Sequence, residues 1–132
     1  MRAWIVSALV SVVLVPASAS ESGGKPKRPE LRLRAVPTTA LAPAYVQFTV
    51  KIDGGSDLED YHCPQIIWDW DDGTHSVEES DCSPYEPGTE IVRRFSARHA
   101  YRASGIYTVS VTLRRASRSV ASARTAIDVH SR

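Results

Sequence analysis

The sequence predicts an all-β fold, an antiparallel β-sandwich of about seven strands, and three observations carry that prediction. Apolar and polar residues alternate with a period of two over residues 31–35, 46–52, 66–70 and 107–113, the spacing of strands that bury one face. Turn-forming clusters separate these runs: Asp53-Gly54-Gly55, Asp72-Gly73 and Ala103-Ser104-Gly105. Beyond residue 20 no stretch shows the 3.6-residue period of an amphipathic helix.

Each element follows from its residues. Leu31, Leu33 and Ala35 alternate with Arg32 and Arg34 in a first strand that stops at Pro37, whose ring removes a backbone donor; residues 37–44 read as a loop. Val46, Phe48, Val50 and Ile52 then face inward against Gln47, Thr49 and Lys51. Ile66, Trp68 and Trp70 form the next inward face until Asp72-Gly73 turns the chain. Residues 75–88 hold Pro84, Pro87 and Gly88 and read as an ordered loop pinned by Cys82. Ile91 and Phe95 suggest a short strand. After Gly105, Tyr107, Val109, Val111 and Leu113 alternate with Thr108, Ser110, Thr112 and Arg114, and a last strand sets Ala121, Ala123, Thr125, Ile127 and Val129 on one side. Short strands with frequent turns over about 100 residues are the pattern of a two-sheet sandwich.

The chain of 132 residues opens with Met1-Arg2-Ala3-Trp4, an apolar run over 5–15 and Ala17-Ser18-Ala19, which reads as a cleavable signal peptide over 1–19 cut after Ala19. The run is too short to span a bilayer and no second one follows, so a soluble protein without a transmembrane segment is expected, exported to the periplasm or outside the cell. Residues 20–30 read as a flexible lead-in and 31–130 as one domain. Cys63 and Cys82 are the only cysteines, and export favours a structural disulfide that stabilises the fold by about 3 kcal/mol. A zinc site built from His62, Cys63, His75 and Cys82 is the alternative, although it lacks the usual ligand spacing.

Three blocks occur in order: Trp68-Asp69-Trp70-Asp71-Asp72-Gly73, His99-Ala100-Tyr101, and Gly105-Ile106-Tyr107-Thr108-Val109-Ser110-Val111-Thr112-Leu113. They resemble the PKD domain pattern W-D-F-G-D-G, H-x-Y, G-x-Y-x-V-x-L. The resemblance implies an immunoglobulin-like sandwich found in secreted and surface proteins, a binding or spacer module without catalysis. It also implies a core of Trp68, Trp70, Tyr107, Val109, Val111 and Leu113, and an architectural role for Asp72, Gly73, His99, Tyr101 and Gly105 in closing turns. Tyr107 falls at the tyrosine corner of such sandwiches, with Val109 where a second core cysteine would stand. Asp71 departs from the pattern by replacing a Gly, and Arg115-Ala116-Ser117-Arg118 lacks the Gly or Asn of a tight hairpin. Calcium binding by some members extends to Asp53, Asp57 and Asp60 as weak candidate ligands; no other cofactor is implied.

The formal charge of +1 hides an asymmetry. Residues 52–90 carry twelve carboxylates and no Lys or Arg, whereas residues 91–132 carry nine Arg and only Asp128. Such a chain either attracts charged partners or neutralises itself where its halves meet. Arg93, Arg94, Arg98 and Arg102, interspersed with Tyr101 and Tyr107, suggest a nucleic-acid stripe, but export and near-neutral charge argue against nucleic acid; acidic glycans suit planar guanidinium groups better. No nucleophile motif accompanies His99 or Tyr101, so no catalytic residue is expected. The sequence thus points to a non-catalytic exported module that binds protein or polysaccharide. The rival is a small hydrolase or protease inhibitor using the loop over 78–88.

Overall fold

The computed structural model describes residues 11–14 and 27–132. Among the described residues eight strands follow one another: β1 (Glu30–Val36), β2 (Thr39–Leu41), β3 (Ala44–Asp53), β4 (Gln65–Asp69), β5 (His75–Glu78), β6 (Arg94–Tyr101), β7 (Gly105–Arg115) and β8 (Arg118–His130), with one 3₁₀ turn at Glu59–Tyr61. They form a three-stranded sheet, β1-β3-β6, and a five-stranded sheet, β2-β8-β7-β4-β5. Pairing is antiparallel throughout except for the short parallel contact of β2 with β8. The fold is an all-β sandwich.

Its core lies where the two inner faces meet. Val46, Phe48, Val50 and Ile52 of β3 oppose Ile66 and Trp68 of β4 and Val109, Val111 and Leu113 of β7, all buried. Ile127 and Val129 of β8 complete the layer. Phe48 stands at the junction, its ring 6.1 Å from that of Trp68 and 5.2 Å from that of Trp70, while the two indoles stack at 4.9 Å. Trp70 Nε1 donates to Ser76 Oγ at 2.8 Å; Trp68 Nε1 has no partner among the described residues.

Four expectations need correction. Residues 37–44 are not simply a loop: β2 lies within them, bracketed by cis Val36-Pro37 and Ala42-Pro43 bonds, and carries the chain from one sheet to the other. Three residues are too few to display a period. Residues 75–88 likewise begin with a strand, β5, paired with β4 from Asp69↔His75 to Ile66↔Glu78. It is an outer strand with little burial, so its side chains need not alternate. Third, β6 runs eight residues and excludes Ile91; its inward positions are Phe95, Ala97, His99 and Tyr101, where a small and a polar side chain break the apolar alternation.

Fourth, the packed chain starts before Leu31. Lys27 donates its backbone N–H to Ser56 Oγ at 3.0 Å, and its carbonyl accepts from Ser56 N at 2.9 Å. Pro29 is buried against Gly55, where a Cβ would come within 2.7 Å of the proline nitrogen. Gly55 also holds φ +82°, so glycine is required there twice over. The signal-peptide reading and most of the lead-in lie outside the described residues, and among the described ones no helix is long and apolar enough to cross a membrane.

Trp68 is fully buried between the sheets. Trp68→Ala is expected to lower unfolding free energy by about 3–5 kcal/mol in a urea titration; a near-neutral result contradicts the packing described.

Candidate functional site

One end of the sandwich gathers the residues singled out by the sequence. Where β4 runs out at Asp69, Trp70 N donates to Thr74 O at 3.3 Å and closes a turn in which Gly73 takes φ +86°. Asp72 bridges that turn to β6. Its Oδ1 accepts from Thr74 N at 3.0 Å and from the Thr74 hydroxyl, and its Oδ2 accepts from His99 Nε2 at 2.6 Å. The His99 ring lies flat on Trp70, with centroids 4.4 Å apart and planes 2° from parallel. Tyr101 meets His99 edge-on at 4.8 Å and donates its hydroxyl to Trp70 O at 2.9 Å. Tyr107, 4.4 Å from Tyr101, donates to Ala103 O at 2.7 Å, which is the tyrosine-corner bond.

Five aromatic rings therefore form one ladder, Trp68, Trp70, His99, Tyr101 and Tyr107, leading from the core to the surface. Burial pushes the Tyr101 phenol well above its ordinary range. Burial also opposes ionisation of Asp72, but hydrogen bonds from Thr74 and His99 outweigh it and hold the carboxyl below the usual range.

This geometry does not assemble a hydrolytic triad. In acyl transfer the imidazole stands between hydroxyl and carboxylate so that it can take the hydroxyl proton. Here the carboxylate stands between Thr74 and His99, and both donate to it. Asp69 is turned elsewhere, accepting from Asp71 N at 3.0 Å and lying 3.9 Å from His75. The depression beside His99, about 440 Å³ and lined by Asp72, Thr74, Tyr101, Arg102 and Tyr107, is open to solvent. Asp71 explains its own departure from the pattern: at φ 63° it accepts Thr108 N–H on Oδ2 at 2.8 Å, tying the β4 turn to β7.

The other end carries the disulfide. Cys63 and Cys82 are bonded, with Cα atoms 6.1 Å apart, so both sulfurs are taken and the zinc alternative falls. His62 Nε2 donates to Ser83 O at 2.7 Å and its ring packs 5.6 Å from Tyr85, which fastens the loop between β5 and β6. Behind it lies a cleft of about 200 Å³ lined by Ile66, Glu78, Glu90, Val92 and Phe95 with the disulfide.

The calcium candidates do not converge. Asp53 is held by Lys51 at 2.9 Å and Arg32 at 3.1 Å, and the Lys51 hydrogen bond, against some desolvation, keeps its carboxyl below the ordinary range. Asp60 pairs with Arg118 at 2.8 Å. Asp57 faces a small recess shared with Arg28, Asp60 and Arg118. Among the described residues no group of three or more metal-ligating side chains comes together.

Charge is partly neutralised internally where Arg118 pairs with Asp60, while Arg115 and Arg93 are held by the backbone carbonyls of Glu59, Ile52 and Gly54. What sequence reading missed is that Arg32, Arg34, Lys51, Arg94 and Arg98 occupy outward positions on three neighbouring strands. The signal was present in the polar half of each alternation, but only the strand order unites it. The molecule is an all-β sandwich with one disulfide and an aromatic ladder at one pole. No protein-family model matches the chain, and no curated protein matches it either.

Two predictions arise from this pole. Asp71→Ala loses the Thr108 bond and puts a Cβ residue without local polar compensation at positive φ, so it is expected to destabilise by about 2 kcal/mol by urea titration, whereas Asp71→Asn, which tolerates that φ and keeps an acceptor, costs clearly less. Because the native carboxyl of Asp72 sits below its unfolded value of about 3.9, the unfolded chain binds more protons there. Its stabilisation is present above about pH 4 and is lost as pH falls through the native value. Melting temperature measured against pH should fall less steeply below about pH 4 in Asp72→Asn than in the wild type.

Proposed function

We propose that the chain is a PKD-like module that works by binding, without catalysis, and that its partner is a protein or a polysaccharide met outside the cytoplasm. The observation that carries this reading is the bonding of His99, Asp72 and Thr74: both Asp72 oxygens, the Thr74 hydroxyl proton and His99 Nε2 are spent on closing the β4 turn and holding it to β6. The three sequence blocks of the family pattern meet in that one ladder, and a disulfide suits an oxidising compartment. The test pairs two measurements on the purified protein. Ester, peptide and glycoside reporters are expected to turn over no faster than in buffer, while calorimetry against a panel of soluble polysaccharides gives saturable heat. Turnover that His99→Gln abolishes contradicts the reading.

A second reading, a protease inhibitor, draws on one observation: the loop following β5 is held by the Cys63–Cys82 bond, by His62 on Ser83 and Tyr85, and by Thr89 N donating to Glu86 O at 2.9 Å. An exposed loop fixed at three points fits a peptidase cleft with little entropy loss. Stoichiometric inhibition of a serine or cysteine peptidase would favour it.

A further inference from the structure

The outer face of the three-stranded sheet carries a charge pattern that the aromatic ladder and the disulfide leave unexplained. Strand register sets its outward residues in rows: Arg32, Lys51 and Arg94 lie side by side across β1, β3 and β6; Arg34, Thr49 and Ser96 form the next row; Val36, Gln47 and Arg98 the next; and Tyr45 with Ala100 the last. Strands stand about 4.8 Å apart and alternate residues about 6.8 Å apart along each strand, so the cations span a flat field of about 10 by 14 Å. Five cations share it with two carboxylates, Glu30 and Asp53, both in the row at one edge. The face therefore carries three positive charges net, on a protein whose total is +1.

Arg32 and Lys51 pair with those two carboxylates, and the other three cations are available. Arg34 and Arg94 make no hydrogen bond or ion pair among the described residues, and Arg98 spends only its Nε, on Gln47 Oε1 at 2.8 Å. Like charges at this spacing repel one another, and a surface that merely needed solubility would interleave the signs. Between the guanidinium groups lie Thr49, Ser96 and Gln47, side chains that bond hydroxyls as readily as anions. At the margin Tyr45, three-quarters exposed, offers an aromatic face to the apolar side of a sugar ring.

We infer that this face binds an anionic polysaccharide, a polymer of hydroxylated rings bearing carboxylate or sulfate groups, laid across β1, β3 and β6. The inference rests on the binding-module reading and names its ligand class. Arg34, Arg94 and Arg98 take the anionic groups by two-point hydrogen bonds, and the hydroxyl and amide side chains between them meet the ring hydroxyls. A flat field suits an extended chain better than a compact ligand, which requires concavity. A DNA duplex would need a denser basic surface than three net charges supply.

The experiment is calorimetry of the purified protein with polygalacturonate, dextran sulfate, neutral dextran, a random-sequence DNA duplex and phosphatidylglycerol vesicles. Binding to either acidic polymer is expected, absent with neutral dextran and weakened by salt. The Arg34→Gln/Arg94→Gln/Arg98→Gln variant should bind at least about tenfold more weakly with an unchanged melting temperature, whereas Arg124→Gln, on the outer face of the opposite sheet, binds as wild type. Equal binding by the triple variant, or preference for the duplex or the vesicles, overturns the inference. Failure with both acidic polymers while the polysaccharide panel yields a neutral ligand overturns it too but leaves the binding-module reading standing; silence throughout overturns it and strikes polysaccharide from that reading, leaving protein as the partner class.

Discussion

The stacking of Trp70 between Trp68 and His99 is the contact on which the rest of the molecule depends. It fixes the end of β4 against β6, strands that belong to different sheets and share no backbone hydrogen bonds. Once the imidazole is seated, Asp72 finds His99 Nε2, Tyr101 reaches the Trp70 carbonyl, and Asp71 falls opposite Thr108 N. One planar contact thereby aligns three hydrogen bonds, two of them between the sheets and one from the β4 turn to β7. The buried surface supplies most of the stabilisation, and the polar bonds choose the register at which that surface closes.

The same constraint commits His99 Nε2 and both Asp72 oxygens to bonds within the protein. An imidazole flat against an indole and bonded to an ionised carboxylate is held for geometry. Reactivity would need a hydroxyl delivered to its free nitrogen and a recess excluding water, and the depression beside it is open. In the binding role proposed above, recognition belongs to the surfaces outside the ladder, where Arg34 and Arg94 make no bond among the described residues.

How much could be read beforehand depended on burial. β1, β3, β4, β7 and β8 announced themselves because one face of each is apolar and meets the opposite sheet, and Trp68, Trp70 and Leu113 could be assigned to the interior from alternation alone. β5 and β2 did not, since an outer strand of three or four residues needs no apolar side chain to keep its hydrogen bonds. His99 broke the pattern of β6 for a physical reason: it faces inward as an aromatic plate while behaving in sequence as a polar residue. The Cys63–Cys82 bond followed from there being only two cysteines, but Arg32 against Asp53 and Arg118 against Asp60 come from strands distant in the sequence and required the fold. The basic face was illegible for a similar reason, as its five members come from three strands whose adjacency only the topology supplies.

The disulfide closes a covalent ring from Cys63 to Cys82 that encloses β4, the Asp72 turn and β5. Residues 79–81, the exposed stretch between β5 and Cys82, lie inside that ring. A peptidase that cut there would open the ring without parting the molecule: the piece bearing both core tryptophans would stay joined through sulfur to the piece bearing β6, β7 and β8. Cleavage in this exposed stretch would thus leave every strand of the sandwich covalently joined.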